Sequence, residues 1–230
     1  PICPENEVTS HLKELINNPG ADQIEHFAGD KVKLVSVKAK KKGKLVGREL
    51  KCIKDDMPNV DAYIPSIYRK GKPFIPEGDT VIKENDEVYF VSSADNIGSI
   101  VDEFRDHEDA YSRIMIVGGG RVGFSLARDL EKTYKVKLIE SNINKCNLLS
   151  KELEKTIVLN GSATDEELLK SENISNIYIF CALTDDDETN VMSSLLAKKM
   201  GAKKTMIILN NPSYLGLVPG FIDIYIAPYR

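Results

Sequence analysis

The hydrophobic rhythm of the chain changes near its middle. Between about Gly29 and Phe104, apolar positions fall in short alternating runs broken by polar turns. From Arg113 onward they fall in short continuous runs, separated by stretches of helical period. Alternation predicts half-exposed strands, whereas continuous runs predict strands covered on both faces. In the second half such runs are Ile114–Val117, Val136–Ile139, Thr156–Leu159, Ile177–Ala182, Lys204–Leu209 and Ile222–Ile226. Between them, Val122, Leu126 and Leu130 share one helical face. Further helices are predicted around Lys145–Leu153 and through Met192, Leu195, Leu196 and Met200. Strands alternating with helices predict an α/β fold of the Rossmann type, a doubly wound parallel sheet.

The first half predicts a small α+β module. Residues 1–20 read as a strand remnant and one helix, with Val8, Leu12, Leu15 and Ile16 on its apolar stripe and Pro19-Gly20 at its end. That stripe needs a partner surface, either the adjacent domain or a second copy of the chain. Val32, Leu34, Val35 and Val37 predict a strand. The five lysines of Lys38–Lys44 predict a solvated hairpin tip, with an acidic partner or lipid as the alternative. Leu45–Ile53 predicts a short helix. Strands are predicted at Ala62–Tyr68 and Phe74-Ile75 around the turn at Arg69, and at Val81-Ile82 and Val88–Val91 around Asn85-Asp86. Ile97–Phe104 predicts a closing helix, and the polar stretch Asp102–Ser112 a linker.

Charge narrows the function classes. The 230 residues carry a net charge of -4, so no overall basic footprint points to nucleic acid. No apolar run approaches the roughly 20 residues needed to cross a bilayer, and no signal peptide is evident. Cys3, Cys52, Cys146 and Cys181 are scattered, which predicts reduced thiols. His11, His26 and His107 each stand alone, with no second ligand or nucleophile at motif spacing. No catalytic or metal site is assigned.

The candidate chemistry lies where the first continuous strand ends. Gly118, Gly120 and Gly123 give the spacing G-x-G-x-x-G, enclosing Gly119, Arg121 and Val122. The first glycine permits the turn, the second lets backbone approach a pyrophosphate, and the third lets helix pack on sheet. The phosphates then lie on the positive N-terminus of the following helix. The second strand ends in Glu140, about 20 residues after Gly120, where such sites place the acid that holds the ribose hydroxyls. Gly161-Ser162-Ala163 follows the third strand and leaves room for an adenine edge. Thr184 and Asp185 follow the fourth, beside the expected pyrophosphate and second ribose. The acids Asp185–Glu188 admit a metal reading, but capping of the next helix fits them better.

The ends of the chain echo each other. Ile2-Cys3-Pro4 resembles Ile226-Ala227-Pro228, and the chain begins with proline rather than methionine. These features predict a fragment of a tandem duplication, running from the end of one Rossmann unit to the end of the next.

Taken together, RIMIVGGGRVGFSLARDLEKTYKVKLIE, GSATDEELL and TDDDETNVMSSLLAKKMGAKK resemble the N-terminal type of RCK (regulator of K⁺ conductance) domain, RCK-N. LVGREL and IPEGDTVIKENDEVYFV resemble the RCK-C type. The resemblance covers essentially the whole chain and points to the cytoplasmic subunits of bacterial Trk potassium uptake systems. It implies the end of a preceding RCK-N domain with its following helix at 1–20, an RCK-C domain at 21–106 and an RCK-N Rossmann domain at 107–230. It also implies NAD(H) as ligand, with ATP or ADP as the alternative, at Gly118–Gly123, Glu140, Gly161–Ala163, Thr184 and Asp185. The implied partners are a Trk-type membrane potassium transporter and further RCK domains, with the protein on the inner face of the cell membrane. Ser141 and Asn210 stand where relatives often carry cations. NADP is disfavoured, because Glu140 repels a 2′-phosphate and no arginine follows it. Two other readings remain: an NAD-dependent oxidoreductase, and an assembly module with a dead cleft. Against the first, all three histidines precede Arg113 and no Tyr-x-x-x-Lys pair follows it.

Overall fold

The computed structural model describes residues 4–58, 60–104, 112–216 and 220–227. His107, Cys3, most of the expected linker and part of each echoing end segment lie outside these residues. The chain forms two compact units, Glu14–Asp109 in one and Pro1–Lys13 with Ala110–Arg230 in the other. Helix α1, Pro4–Asn17, opens the chain; its last described turn is closed by Asn18, whose N–H and side-chain amide both donate to the Glu14 carbonyl.

The smaller unit is a five-stranded antiparallel sheet in the order β1-β2-β5-β3-β4. Its strands are β1 (Ala21–Phe27), β2 (Val32–Lys38), β3 (Ala62–Arg69), β4 (Lys72–Phe74) and β5 (Glu87–Ser93). Helix α2 spans Ile53–Asp56 after a 3-10 turn, and α3 (Ile97–Phe104) closes the module. Phe104 stacks on Phe90 of β5 at 6.3 Å, both fully buried, which seats α3 on the sheet.

Four elements differ from the sequence expectation. Strand β1 has no alternating signature: only Ala21 and Ile24 are buried, and its register shifts between Ala21 and Gln23. A bulge of this kind erases period two. Helical structure begins at Leu50, later than Leu45, because Val46 and Gly47 are held in turns. Val81 forms a single bridge to Glu49 rather than a strand. The lysine run is solvated as expected, with all five lysines exposed, but it is not a hairpin tip, since its backbone docks on the end of α3. Lys40 N–H donates to the Phe104 carbonyl, Leu45 N–H to that of Glu103, and Lys44 pairs with Glu103.

The larger unit holds a six-stranded parallel sheet: β6 (Arg113–Val117), β7 (Lys135–Glu140), β8 (Ile157–Asn160), β9 (Ile179–Ala182), β10 (Lys204–Ile208) and β11 (Ile224–Ile226). Helices α4 (Arg121–Leu130), α5 (Ile143–Glu152), α6 (Glu166–Ser171) and α7 (Asp187–Lys199) connect β6 through β10 in turn. The order is β11-β10-β9-β6-β7-β8. Counted from β6 this is 3-2-1-4-5-6 read from the β8 edge, the order of doubly wound dinucleotide-binding sheets. Strands β6, β9 and β10 are buried almost throughout, as continuous apolar runs require. On α7 the fully buried positions are Asn190, Ser193, Ser194 and Ala197, while Met192 faces outward. Small residues allow that helix to lie close to the sheet.

Candidate functional site

The winding of the sheet reverses between β6 and β9, and a cleft of about 810 Å³ opens at the carboxyl ends of the strands. Gly118 takes the turn after β6 at φ 95°, a backbone region that disfavours a side chain. Its N–H donates to the Ile139 carbonyl at 2.9 Å, tying the turn to β7. Gly123 lies on the first turn of α4, and a methyl group there would stand 1.9 Å from the Gly118 carbonyl oxygen. The third glycine is therefore required by close packing. Gly120, the N-cap of α4, is open to the cleft.

Of the residues expected from the sequence, Gly118, Gly120, Arg121, Val122, Glu140, Gly161, Ser162, Ala163, Thr184 and Asp185 line this one cleft. Gly119 and Gly123 stand behind it. Gly119 bears on the site through its N–H, which donates to Glu140 Oε2 at 3.0 Å. Glu140 Oε1 accepts the Asn142 N–H at 2.8 Å. Burial works against the ionised form of Glu140. The two N–H donors, the Lys145 charge and the Ser141 hydroxyl outweigh it and hold the carboxyl below its ordinary range. A carboxylate has about four lone-pair positions, so this anion retains acceptor capacity toward the cleft.

The opposite wall is fixed by a residue the sequence did not single out. Asn190, fully buried on α7, accepts the Thr184 N–H at 3.0 Å and the Thr184 hydroxyl at 2.7 Å. Its amide donates to the carbonyls of Thr184 and Ile208. It thus joins the ends of β9 and β10 at the cleft. Asp186 caps α7 by accepting the Thr189 N–H and hydroxyl, which lower its pKa. Asp187 accepts the N–H groups of Asn210 and Asn211, holding the turn after β10. These contacts give the acidic run a structural task. Asn142 caps α5 and places Lys145 on the lining. Asn210 also lines the cleft.

Two lining residues come from the far end of the chain. Glu5 and Val8 of α1 face the same cleft, and Glu5 meets Arg121 at 3.3 Å. Val8 belongs to the apolar stripe that the sequence expects to be covered, and it is buried; nothing local in the sequence marks Glu5 as a cleft residue. Among the described residues, no group of three or more His, Cys, Asp or Glu is placed to hold a metal ion, and no helix is long and apolar enough to cross a membrane.

The geometry fits a nucleotide: a glycine turn and helix N-terminus for phosphate, an ionised acid for ribose, and a small-residue turn at Gly161–Ala163 for a ring edge. Comparison with known proteins agrees in fold. The TrkA-C domain family matches residues 34–105 and the TrkA-N domain family residues 114–225. The chain is 49% identical over 230 residues to the Trk system potassium uptake protein TrkA of Halomonas elongata and 49% identical to that of Vibrio alginolyticus. Each match covers 100% of this chain and 50% of the relative. The chain thus spans about half the length of the curated relatives it matches. Among solved structures, the GsuK RCK domain superposes with TM-score 0.61 at 16% identity, covering 98% of this chain and 48% of that one. The GsuK channel bound to NAD gives TM-score 0.60 at 17% identity, covering 96% and 40%.

Proposed function

Because the chain belongs to the TrkA family, as a TrkA-C domain followed by a TrkA-N domain, we propose that it is part of a cytoplasmic regulatory subunit of a Trk-type potassium uptake transporter. In this reading the cleft of the larger unit binds NAD(H), or ATP or ADP in its place. The subunit reaches the inner face of the membrane through the transporter and through association with further RCK domains.

One observation carries the reading. The ionised Glu140 at the end of β7 is clamped by the Gly119 and Asn142 N–H groups, beside the open N-terminus of α4. A carboxylate held there is suited to two ribose hydroxyls, with the pyrophosphate on the adjacent turn. The relatives named as potassium uptake proteins support the transport assignment. The GsuK channel, which shares the fold, is described as bound to NAD.

Binding would act as regulation by favouring one arrangement of the assembly, which requires different affinities for two arrangements. The described lining brings no histidine, tyrosine or cysteine to the cleft, which favours binding over hydride transfer. Cys181 is fully buried, and burial pushes its thiol up to about 12. Calorimetric titration with NAD, NADH, ADP and ATP tests the proposal. Binding of at least one, weakened roughly 10- to 100-fold by Glu140→Ala, is expected for a lost charge-assisted hydrogen bond. Absence of binding by all four, or binding indifferent to Glu140→Ala, would overturn it.

A further inference from the structure

The N-terminal helix contributes charge to a cleft built by residues more than a hundred positions away. Glu5 pairs with Arg121 at 3.3 Å, and Lys13 with Asp129 at 2.8 Å, both with the same sequence offset of 116 residues. Equal offsets mean that the first part of α1 runs alongside α4 in the same direction. The N-terminal turn of α1 is therefore held where α4 opens to the cleft. Val8, buried, anchors that turn as part of the lining.

This contact alters the electrostatics of the mouth. The charged lining consists of Glu5, Glu140, Asp185 and Asp186 against Arg121 and Lys145. Arg121, the first residue of α4 and the cation nearest the phosphate turn in sequence, already has a carboxylate partner in Glu5. Its side chain is 84% exposed, so the pair is open to solvent and to competition. A phosphate chain seated on the N-terminus of α4 would compete with Glu5 for Arg121, beside that carboxylate. The cost rises with each added negative charge on the ligand.

We infer that Glu5 is a specificity-determining residue of the nucleotide site, a fixed anion at its mouth that favours the weakly charged NAD and NADH over ADP and ATP. The inference rests on the reading of this cleft as a nucleotide site. It identifies dinucleotides of low net charge as the ligand class and makes α1 a part of the binding apparatus. Like charges about 6 Å apart in water-like surroundings change an affinity about threefold per charge pair. The effect weakens as salt shortens the screening length.

The test is titration of the chain and of its Glu5→Gln variant with NAD, NADH, ADP and ATP, at low and at high salt. Glu5→Gln keeps the shape of a half-exposed side chain. It is expected to raise NAD affinity by no more than about threefold and ATP affinity by roughly tenfold or more, since the more distant phosphates add less, with the difference shrinking at high salt. Lys13→Gln removes the Lys13–Asp129 ion pair, which also ties α1 to α4, and is expected to leave the ATP-to-NAD ratio unchanged. An unchanged ratio in Glu5→Gln with binding intact overturns this inference alone. So does a Lys13→Gln variant that shifts the ratio equally, because seating of the helix would then be the cause. No binding of any nucleotide to either protein overturns it together with the reading beneath it.

Discussion

Glu140 Oε2 accepts the Gly119 N–H at 3.0 Å, so the acid at the end of β7 and the glycine turn after β6 form one rigid unit. Two strands adjacent in the sheet thus present a carboxylate and a phosphate-sized turn on the same rim. The link also explains a constraint on the middle glycine. A methyl group on Gly119 would stand 2.3 Å from Leu149 Cδ1 and 3.1 Å from Glu140 Oε2.

Gly120 and Gly123 should separate function from folding. No atom lies within 4 Å of a methyl group placed on Gly120, so Gly120→Ala should leave the melting temperature almost unchanged. It should nevertheless weaken nucleotide binding, since the methyl group occupies the approach of the pyrophosphate. Gly123→Ala should destabilise the chain by several kcal/mol, because a Cβ at 1.9 Å from the Gly118 carbonyl oxygen cannot be accommodated without moving backbone. Thermal melts paired with titrations check both outcomes.

Asn190 should matter more than its position suggests. Asn190→Ala removes a fully buried amide that bonds Thr184 at three atoms and the Ile208 carbonyl. The expected cost is roughly 2–4 kcal/mol, from buried polar groups left without partners. Urea denaturation measures it. The Thr184 edge of the cleft should loosen as well, visible as faster amide exchange at Thr184.

A second buried acid ties α4 to β8. Glu131 accepts the N–H groups of Glu154, Lys155 and Thr156 and the Thr156 hydroxyl. Burial opposes its ionisation, but these donors win and lower its pKa from the ordinary 4.5. Glu131→Ala should cost roughly 2–4 kcal/mol in urea denaturation at neutral pH.

Acid stability follows from the same groups. Glu131, Glu140 and Asp86 all have folded-state pKa values below their ordinary ones. For Asp86, burial is outweighed by Arg69 and the Lys83 N–H. A lowered carboxylate stabilises the fold above its unfolded pKa and loses that stabilisation as pH falls through the folded value. The urea midpoint should therefore be flat near neutrality and fall below about pH 5. In Glu131→Gln the slope of that fall should be shallower. A midpoint that rises on acidification would contradict the assignment.

Much of this was legible in the sequence, for a physical reason. Strand, glycine turn, helix and acid in the Rossmann half are separated by short local spacings, so periodicity and motif reveal them together. Gly118, Glu140 and Thr184 were all marked, and the structure brings them to one rim. What escaped depends on distant partners. Glu5 carries no local sign of a cleft, since the residue it meets lies 116 positions away. Asn190 looks like any polar residue on a helix until its amide is seen joining two strand ends. Strand β1 hid behind its bulge, and the solvated lysine run gave no sign that the Lys40 N–H bonds to the end of α3, more than sixty residues on.

The central claim is that Glu140 and the glycine turn hold a nucleotide, and a structure of the chain in complex with NADH tests it most directly. The account predicts a ribose whose hydroxyls lie within hydrogen-bond distance of the Glu140 carboxylate, with the pyrophosphate over Gly118–Gly120 at the head of α4. A nucleotide bound elsewhere, with Glu140 still held only by its backbone donors, would contradict it.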